Sequence, residues 1–425
     1  MAQISKRRTL AACAGIAVAA ITAAGCSSSG GGGTSSSANN ARGPITFVQG
    51  KDNVGLLAPM VAAWNAAHPT EKVTAKEQTD KADQQHDDLV QNFQAKSTTY
   101  DVVAVDVVWT AEFAAKGWLT PLKDSMALDT TGFLKAPVAA ATYNNTLYAA
   151  PVSSDGGLLY YRKDLVPTPP KTIAELQADC AIAKKNGMSC YAGQFAKYEG
   201  LTCNVTEAMN TFGGKAVDAQ GKPTIDSPES VAGLQYLVDG FKNGMIPQQE
   251  LTFQEEQGRS AFEDGKYLFM RNWPYAYSLG STDASSKIKG KFAVAPLPGV
   301  SGPGASTLGG HSAAISAFST HKATALDFLK FLTSADQQKN NMEKGSLAPV
   351  IESMYTDPSL VSKYAYLPTL LTSIQNAVPR PVTPFYQGVT TAIQDNAYAA
   401  LSGSKTAAQA VKDMQAAMLA ASSGS

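Results

Sequence analysis

The 425-residue sequence predicts an α/β architecture with a largely parallel sheet, spread over more than one domain. Short β-branched runs take turns with amphipathic stretches of helical period, the pattern of strand–helix units. One run, 100–107, is rich in Val and Ala without polar alternation, as a strand buried on both faces must be. At ~150 residues per domain the length amounts to two or three domains. With 44% hydrophobic and 16% charged residues, there is ample apolar material for a packed core.

Residues 1–25 have the build of an export signal: Lys6, Arg7 and Arg8, then an uncharged apolar stretch over 10–24, then small residues. Ala23-Ala24-Gly25-Cys26 resembles the lipobox of bacterial lipoproteins, with Ala in place of the usual Leu at its first position. Cys26 is thus the expected lipidation site and the first residue of the mature chain. The segment 26–42 reads as a flexible tether, since 27–40 holds only Ser, Gly, Thr, Ala and Asn. Folding is expected to begin near Gly43. Loss of the three early bases leaves 32 basic against 35 acidic residues, a net charge of −3 that argues against a nucleic-acid partner. No apolar run of about 18 residues follows, so no spanning helix is expected after the signal.

The body opens with a strand at 45–48 and a helix at 56–67 that stops at His68-Pro69. A strand from Val73, a helix at 81–96 and the buried strand at 100–107 continue the alternation. A second set follows Pro151: a strand at 158–161, helices at 172–185, 201–212, 227–243 (capped by Ser227) and 252–264, then strands at 265–270 and 292–295. The tail reads as helical over 323–332, 335–343, 358–371 and 388–419.

With Cys13 in the signal and Cys26 lipidated, Cys180, Cys190 and Cys203 remain for one disulfide and one free thiol in an oxidising compartment. Of the three pairings Cys180–Cys190 is favoured: the helix at 172–185 stops at Asn186-Gly187, and Cys190 opens the next strand, where it folds back on the helix. No metal site is expected, because the nine residues between them fit no zinc pattern and His68, His86, His311 and His321 all lie elsewhere.

Catalytic signatures are missing: GxxxxGK[ST], GxGxxG, HExxH and GxSxG do not occur. The Gly-rich stretch 299–310 reads as a loop, and no cofactor is expected. A carboxylate pair for glycoside hydrolysis has no fixed sequence spacing, and most of the 35 acidic residues read as solvated surface. Asp106 and Trp109 stand out, at the end of a strand where a charge is costly unless paired and where open α/β sheets bind ligands. Trp273 follows another strand that Pro274 stops, so that its ring projects from a strand end.

Together with the lipobox, the stretches DVVAVDVVWTAEFAAKGWLTPL (101–122), PVSSDGGLLYYRKDL (151–165), FEDGKYLFMRNWPYAY (262–277) and Gly309-Gly310 before an apolar strand resemble the extracellular solute-binding lipoproteins of bacterial ABC importers. The resemblance is to the carbohydrate branch, solute-binding family 1, that includes trehalose/maltose-binding and maltose-binding proteins. It implies a two-lobe periplasmic-binding-protein-like α/β fold whose hinge is crossed three times, near 151–156, 289–296 and 316–322, with a ligand cleft between the lobes. Lobe one would be 43–153 and 292–317, lobe two 154–291 and 318–425.

Carried over by position, the sugar contacts fall on Asn53, His86, Asp106, Asp155, Trp273, Tyr275, Gly310 and Arg380. Relatives of the trehalose/maltose type have an acid at the place of Asn53, an Arg at that of His86 and a Trp at that of His311, which leaves the particular sugar open. The chemistry suits the class. Asp106 and Asp155 would accept from sugar hydroxyls, Arg380 and Asn53 would donate, and Trp273 would cover an apolar pyranose face. The implied function is capture of a disaccharide such as trehalose or maltose, or a related α-glucoside, and delivery to the transmembrane permease subunits. The chain would be a monomer, held on the extracellular face of the cell membrane by the lipid on Cys26, and not an enzyme. The alternatives are a secreted carbohydrate-active enzyme or a receptor for another small polar solute.

Overall fold

The computed structural model describes residues 40–423, so the export signal, Cys26 and most of the tether lie outside the described residues. At the near end of the body, Arg42 is already engaged, pairing with Glu71 at 2.8 Å and Asp327 at 2.7 Å.

Lobe one is built on five strands in the order Val73–Glu77, Ile45–Gln49, Val102–Asp106, His311–Ile315, Ala149–Pro151. The first three run parallel, connected by the helices Leu57–Ala67 and Ala82–Gln94, while His311–Ile315 runs antiparallel to both neighbours. Val102, Val103 and Val105 are buried, which is why this strand shows no polar alternation. On one face of the sheet Phe328 packs its ring 5.3 Å from those of Phe47 and Trp64.

Lobe two carries four strands in the order Phe292–Pro296, Leu158–Arg162, Tyr267–Asn272, Ser189–Ala192. Leu158–Arg162 is antiparallel to both neighbours and only the outer pair is parallel, so the expectation of a largely parallel sheet holds for lobe one alone. The helices Glu199–Thr211, Pro228–Lys242, Tyr386–Leu401 and Ala407–Ser423 share one core around Leu201, Leu234, Ile393 and Met414. Ser227 caps the second of these by accepting from Ser230 N–H at 3.1 Å. The helical tail breaks at Gly403, whose φ of +84° ends Tyr386–Leu401, and between Pro358–Lys363 and Leu367–Gln375.

Between the lobes lies a small three-stranded sheet, Ala377–Val378, Ser306–Gly309, Asp155–Gly156. The chain leaves lobe one through Asp155–Gly156 and returns through Ser306–Gly309. It passes over again within the helix Ala335–Gly345, for Leu332 lies in the core of lobe one and Met342 in that of lobe two. Gln338 ties this passage down, donating to the carbonyls of Val152 at 2.8 Å and Leu332 at 3.1 Å and accepting from Val350 N–H at 2.8 Å.

The crossings expected near 289–296 and 316–322, and the lobe boundaries built on them, are corrected. Phe292–Pro296 belongs to lobe two, because all five of its residues pair with Leu158–Arg162. The segment 318–332 belongs to lobe one, because Ala325, Phe328 and Leu329 are buried against its sheet.

Cys180 and Cys190 are joined across 10 residues, with Cα atoms 5.1 Å apart, and Cys203 is a buried free thiol. A loop of this length constrains the unfolded chain by roughly 2–3 kcal/mol. Replacing both bonded cysteines by Ser should therefore lower the unfolding free energy in urea by about that amount while leaving the circular dichroism spectrum of the folded state unchanged; a variant as stable as the parent would show that the bridge adds nothing.

Candidate functional site

The lobes enclose a cleft with a cavity volume of about 320 Å³, within the size range of small-ligand pockets. Strand ends and helix starts supply its walls, which is where an α/β fold presents side chains without blocking them by its own pairing. From lobe one come Asn53, exposed in the loop after Ile45–Gln49, Gln85 on the helix Ala82–Gln94, Asp106 at the end of Val102–Asp106, and His311, directly opposite Asp106 in register. The hinge contributes Asp155, Gly309 and Gly310. Lobe two adds Glu199 at the start of Glu199–Thr211, Glu255 and Glu256 at the start of Glu255–Glu263, Trp273, Tyr275, and Arg380 just after Ala377–Val378.

Two glycines are demanded by close approach. Gly310 has φ +107°, and a Cβ on it would lie 2.3 Å from the Ser153 carbonyl oxygen. A Cβ on Gly309 would lie 2.6 Å from the Trp273 ring.

Arg380 forms the polar centre. It is 3% exposed, and its Nη2 donates to Asp106 Oδ1 at 2.8 Å while Nη1 donates to Glu199 Oε1. Tyr386 O–H also donates to Glu199, as does Thr390 Oγ1 at 2.6 Å. Burial opposes the charge on Arg380, but Asp106 and its other negative neighbours override it and raise the pKa further. The guanidinium Nε has no partner among the described residues. Asp106 keeps one oxygen for Arg380 and the Val108 N–H, and its Oδ2 has no hydrogen-bond partner among the described residues.

Asp155 differs from Asp106 in having no side-chain hydrogen-bond partner among the described residues. Burial, and then the charge of Asp106, push its pKa up from 3.8 to about 7, with Arg271 opposing. Burial lowers the pKa of His311, which Asp106 opposes and Arg380 reinforces. Burial also pushes the Cys203 thiol up, so this cleft-side cysteine stays protonated and unreactive.

The aromatic wall rests on Trp273 and Tyr275. Trp273 is half-buried, with its Nε1 3.4 Å from Glu255 Oε1, and Tyr275 donates to Glu256 Oε1 at 2.5 Å. Burial raises the pKa of Tyr275 well above its ordinary value, which keeps the phenol a donor.

His86 is a correction. It is 5% exposed, lies outside the cleft, donates from Nε2 to Glu112 Oε2 at 2.9 Å and packs its ring 5.4 Å from those of Trp109 and Phe113. The helix turns the neighbouring Gln85 to the cleft instead, with its Nε2 donating to the Thr79 carbonyl at 2.7 Å. Trp109, singled out beside Asp106, is likewise core, at 4% exposure. The other residues named from the sequence, Asn53, Asp106, Asp155, Trp273, Tyr275, Gly310 and Arg380, all line the one cleft. Sequence reasoning missed Gln85, Glu199, Glu255, Glu256 and, behind the wall, Arg271 with Glu207. Arg271 did leave a signal: a charge inside the apolar run Tyr267–Asn272 needs a buried partner, the argument that singled out Asp106.

The family described as bacterial extracellular solute-binding protein matches residues 50–339. A probable ABC transporter-binding protein of Deinococcus radiodurans is 34% identical over 341 residues, 76% of this chain and 80% of its own length. The maltotriose-binding protein of Pyrococcus abyssi is 27% identical, with 59% of this chain and 55% of that protein covered. Among solved structures, maltose-bound MalE3 of T. maritima superposes with a TM-score of 0.83 at 37% identity, covering 88% of this chain and 98% of that one. The GacH receptor of Streptomyces glaucescens, solved unliganded and with acarbose, gives 0.79 at 25% identity over 88% and 97%.

The raised pKa of Asp155 has a consequence for stability. Between about pH 4 and 7 the folded protein holds a proton that the unfolded chain has released, so ionising Asp155 costs stability as the pH rises through this window. Asp155→Asn removes that cost, and its stability relative to the parent in urea should be higher at pH 7.5 than at pH 5. An identical difference at both pH values would mean that Asp155 titrates as an ordinary surface carboxylate.

Proposed function

Because the chain belongs to family 1 of the bacterial extracellular solute-binding proteins, we propose that it takes a saccharide into this cleft and hands it to the permease of an ABC importer. The observation that carries the reading is the cleft between hinged lobes, where carboxylates, a guanidinium and a carboxamide face the indole of Trp273. Sugar hydroxyls both donate and accept, so Asp106, Asp155, Arg380, Asn53 and, in place of His86, Gln85 are suited to bind them. The C–H face of a pyranose is apolar and suits Trp273, with Tyr275 and the Gly310 backbone beside it. Both cations of the cleft are already neutralised, Lys51 by Glu77 at 2.9 Å and Arg380 by Asp106 and Glu199, which favours an uncharged ligand.

Within this class the reading is a disaccharide such as maltose or trehalose, or a related α-glucoside. The maltose in the T. maritima structure and the maltotriose named for the P. abyssi relative support a glucose-based ligand. Hinge closure over it presents the permease with a shape that differs from the open form. Lipid on Cys26 would hold the monomer at the outer face of the membrane. In Cys26→Ala cells the protein should leave the membrane fraction for the medium and lose its lipid adduct in mass spectrometry; unchanged membrane association would sink the anchor.

One observation favours hydrolysis instead: a carboxyl titrating near 7, as Asp155 does, suits a general acid. Its partner in an acid–nucleophile pair would be Asp106, which is committed to Arg380. The two readings separate in one assay. Calorimetry of the parent with a panel of mono- and disaccharides should show binding, and chromatography of the same samples should return the sugar unchanged. Trp273→Ala should weaken binding by ~1–3 kcal/mol without unfolding the protein. Product formation in the parent would make it an enzyme, and unaltered affinity in Trp273→Ala would take the indole out of the site.

A further inference from the structure

We infer that Arg271 and Glu207 are positioning residues for the ligand, setting the Trp273 indole at its working angle and coupling it to the hinge; the inference rests on the saccharide reading above. Arg271 is wholly buried in the strand Tyr267–Asn272 and does not line the cleft, so it touches no ligand. Its guanidinium carbon lies 3.8 Å from the centroid of the Trp273 ring. One face of the indole is thereby covered by a cation, in the geometry of a cation–π stack. Gly309 lies against one edge of the ring and Glu255 Oε1 faces its Nε1, so the ring is confined on three sides.

The guanidinium has little freedom of its own. Its Nε donates to Glu207 Oε2 at 2.9 Å, its Nη2 to Glu207 Oε1 at 2.5 Å and its Nη1 to Gln194 Oε1 at 3.0 Å. Gln194 returns a bond from Nε2 to the Arg271 carbonyl at 2.9 Å. This bidentate fork is a geometry that Lys does not reproduce. A buried ion pair is also weak as a source of stability, since apolar residues of similar volume do as well. What the pair supplies here is orientation.

Glu207 makes the link to the hinge. The oxygen that accepts from Arg271 Nη2 also accepts from the N–H of Thr307 at 3.0 Å, in the hinge strand Ser306–Gly309. Two residues on, Gly309 abuts the ring itself. A shift of this strand during closure therefore reaches Trp273 along two routes, one through the ion pair behind the ring and one at its edge.

A double-mutant cycle with maltose and trehalose as probes tests this, using the parent, Arg271→Lys, Glu207→Gln, Trp273→Ala and the combined Arg271→Lys/Trp273→Ala, each checked for thermal unfolding. Arg271→Lys and Glu207→Gln should each weaken binding about tenfold and shift the tryptophan emission. In the Trp273→Ala background, Arg271→Lys should cost no more than about a further twofold, because the ring it positions is gone. Glu207→Gln keeps an acceptor for Thr307 and serves as the readout should Arg271→Lys not fold. Losses that simply add, or single variants that bind like the parent, would overturn the inference while leaving the saccharide reading intact. A parent that binds neither sugar would remove that reading and this inference with it.

Discussion

The arrangement of the cleft follows from the burial of one cation. Arg380 is 3% exposed, and the effective cost of taking such an ion out of water is several kcal/mol unless carboxylates meet it. Asp106 arrives from lobe one and Glu199 from lobe two, so satisfying a single guanidinium requires both lobes and the loop after the hinge strand Ala377–Val378. Glu199 is fixed in turn by Tyr386 and Thr390, so the helix Tyr386–Leu401 supports the cleft from behind although it lies late in the chain. What the network leaves unused, Arg380 Nε and Asp106 Oδ2, is one donor and one acceptor.

The hinge explains how such a network serves binding. Short strands at 155–156, 306–309 and 377–378 pair with each other by only a few hydrogen bonds, whereas the lobes have their own sheets and cores. In the proposed closure, changes in backbone angle would therefore be absorbed at the passages while each lobe keeps its own core. The glycines at 309 and 310 combine both requirements, since one admits the indole and the other the left-handed turn between hinge and lobe.

Local periodicity made lobe one legible from 45 to 106, because each strand and helix there is followed by its partner in the sheet. Asp106 and Trp273 were legible for a different reason: a charge or a large aromatic where apolar packing ends has few uses other than contact with a ligand or a partner, although Trp109, singled out on the same ground, is core, and Arg380 came from the family resemblance alone. His86 was placed wrongly because it was carried over by position from the family resemblance, and on a helix one residue of phase separates the core position 86 from the cleft position 85. The lobe boundaries failed on long-range pairing. Whether Phe292–Pro296 lies beside Leu158–Arg162 or in lobe one is decided by hydrogen bonds across more than a hundred residues, to which local composition is blind. The carboxylates at 199, 207 and 255 were hidden among 35 acidic residues, and only their buried partners, Arg380 for Glu199, Arg271 for Glu207, and Tyr198 and Trp273 for Glu255, set them apart.

Both buried guanidinium groups near the cleft, Arg271 and Arg380, are held by carboxylates of the protein before any ligand arrives. For an anionic ligand to take Arg380 as its counter-ion, the guanidinium would have to leave Asp106 or Glu199, and breaking a buried pair costs about 3–5 kcal/mol because a charge is left uncompensated. A neutral polyol disturbs neither pair and gains about 0.5–1.5 kcal/mol for each well-made hydrogen bond. The difference between those magnitudes selects against charge first. Under the proposed reading, selection among neutral ligands would then fall to the positions of individual hydroxyls against Asp106, Asp155 and Gln85, and to the fit of a sugar ring on Trp273.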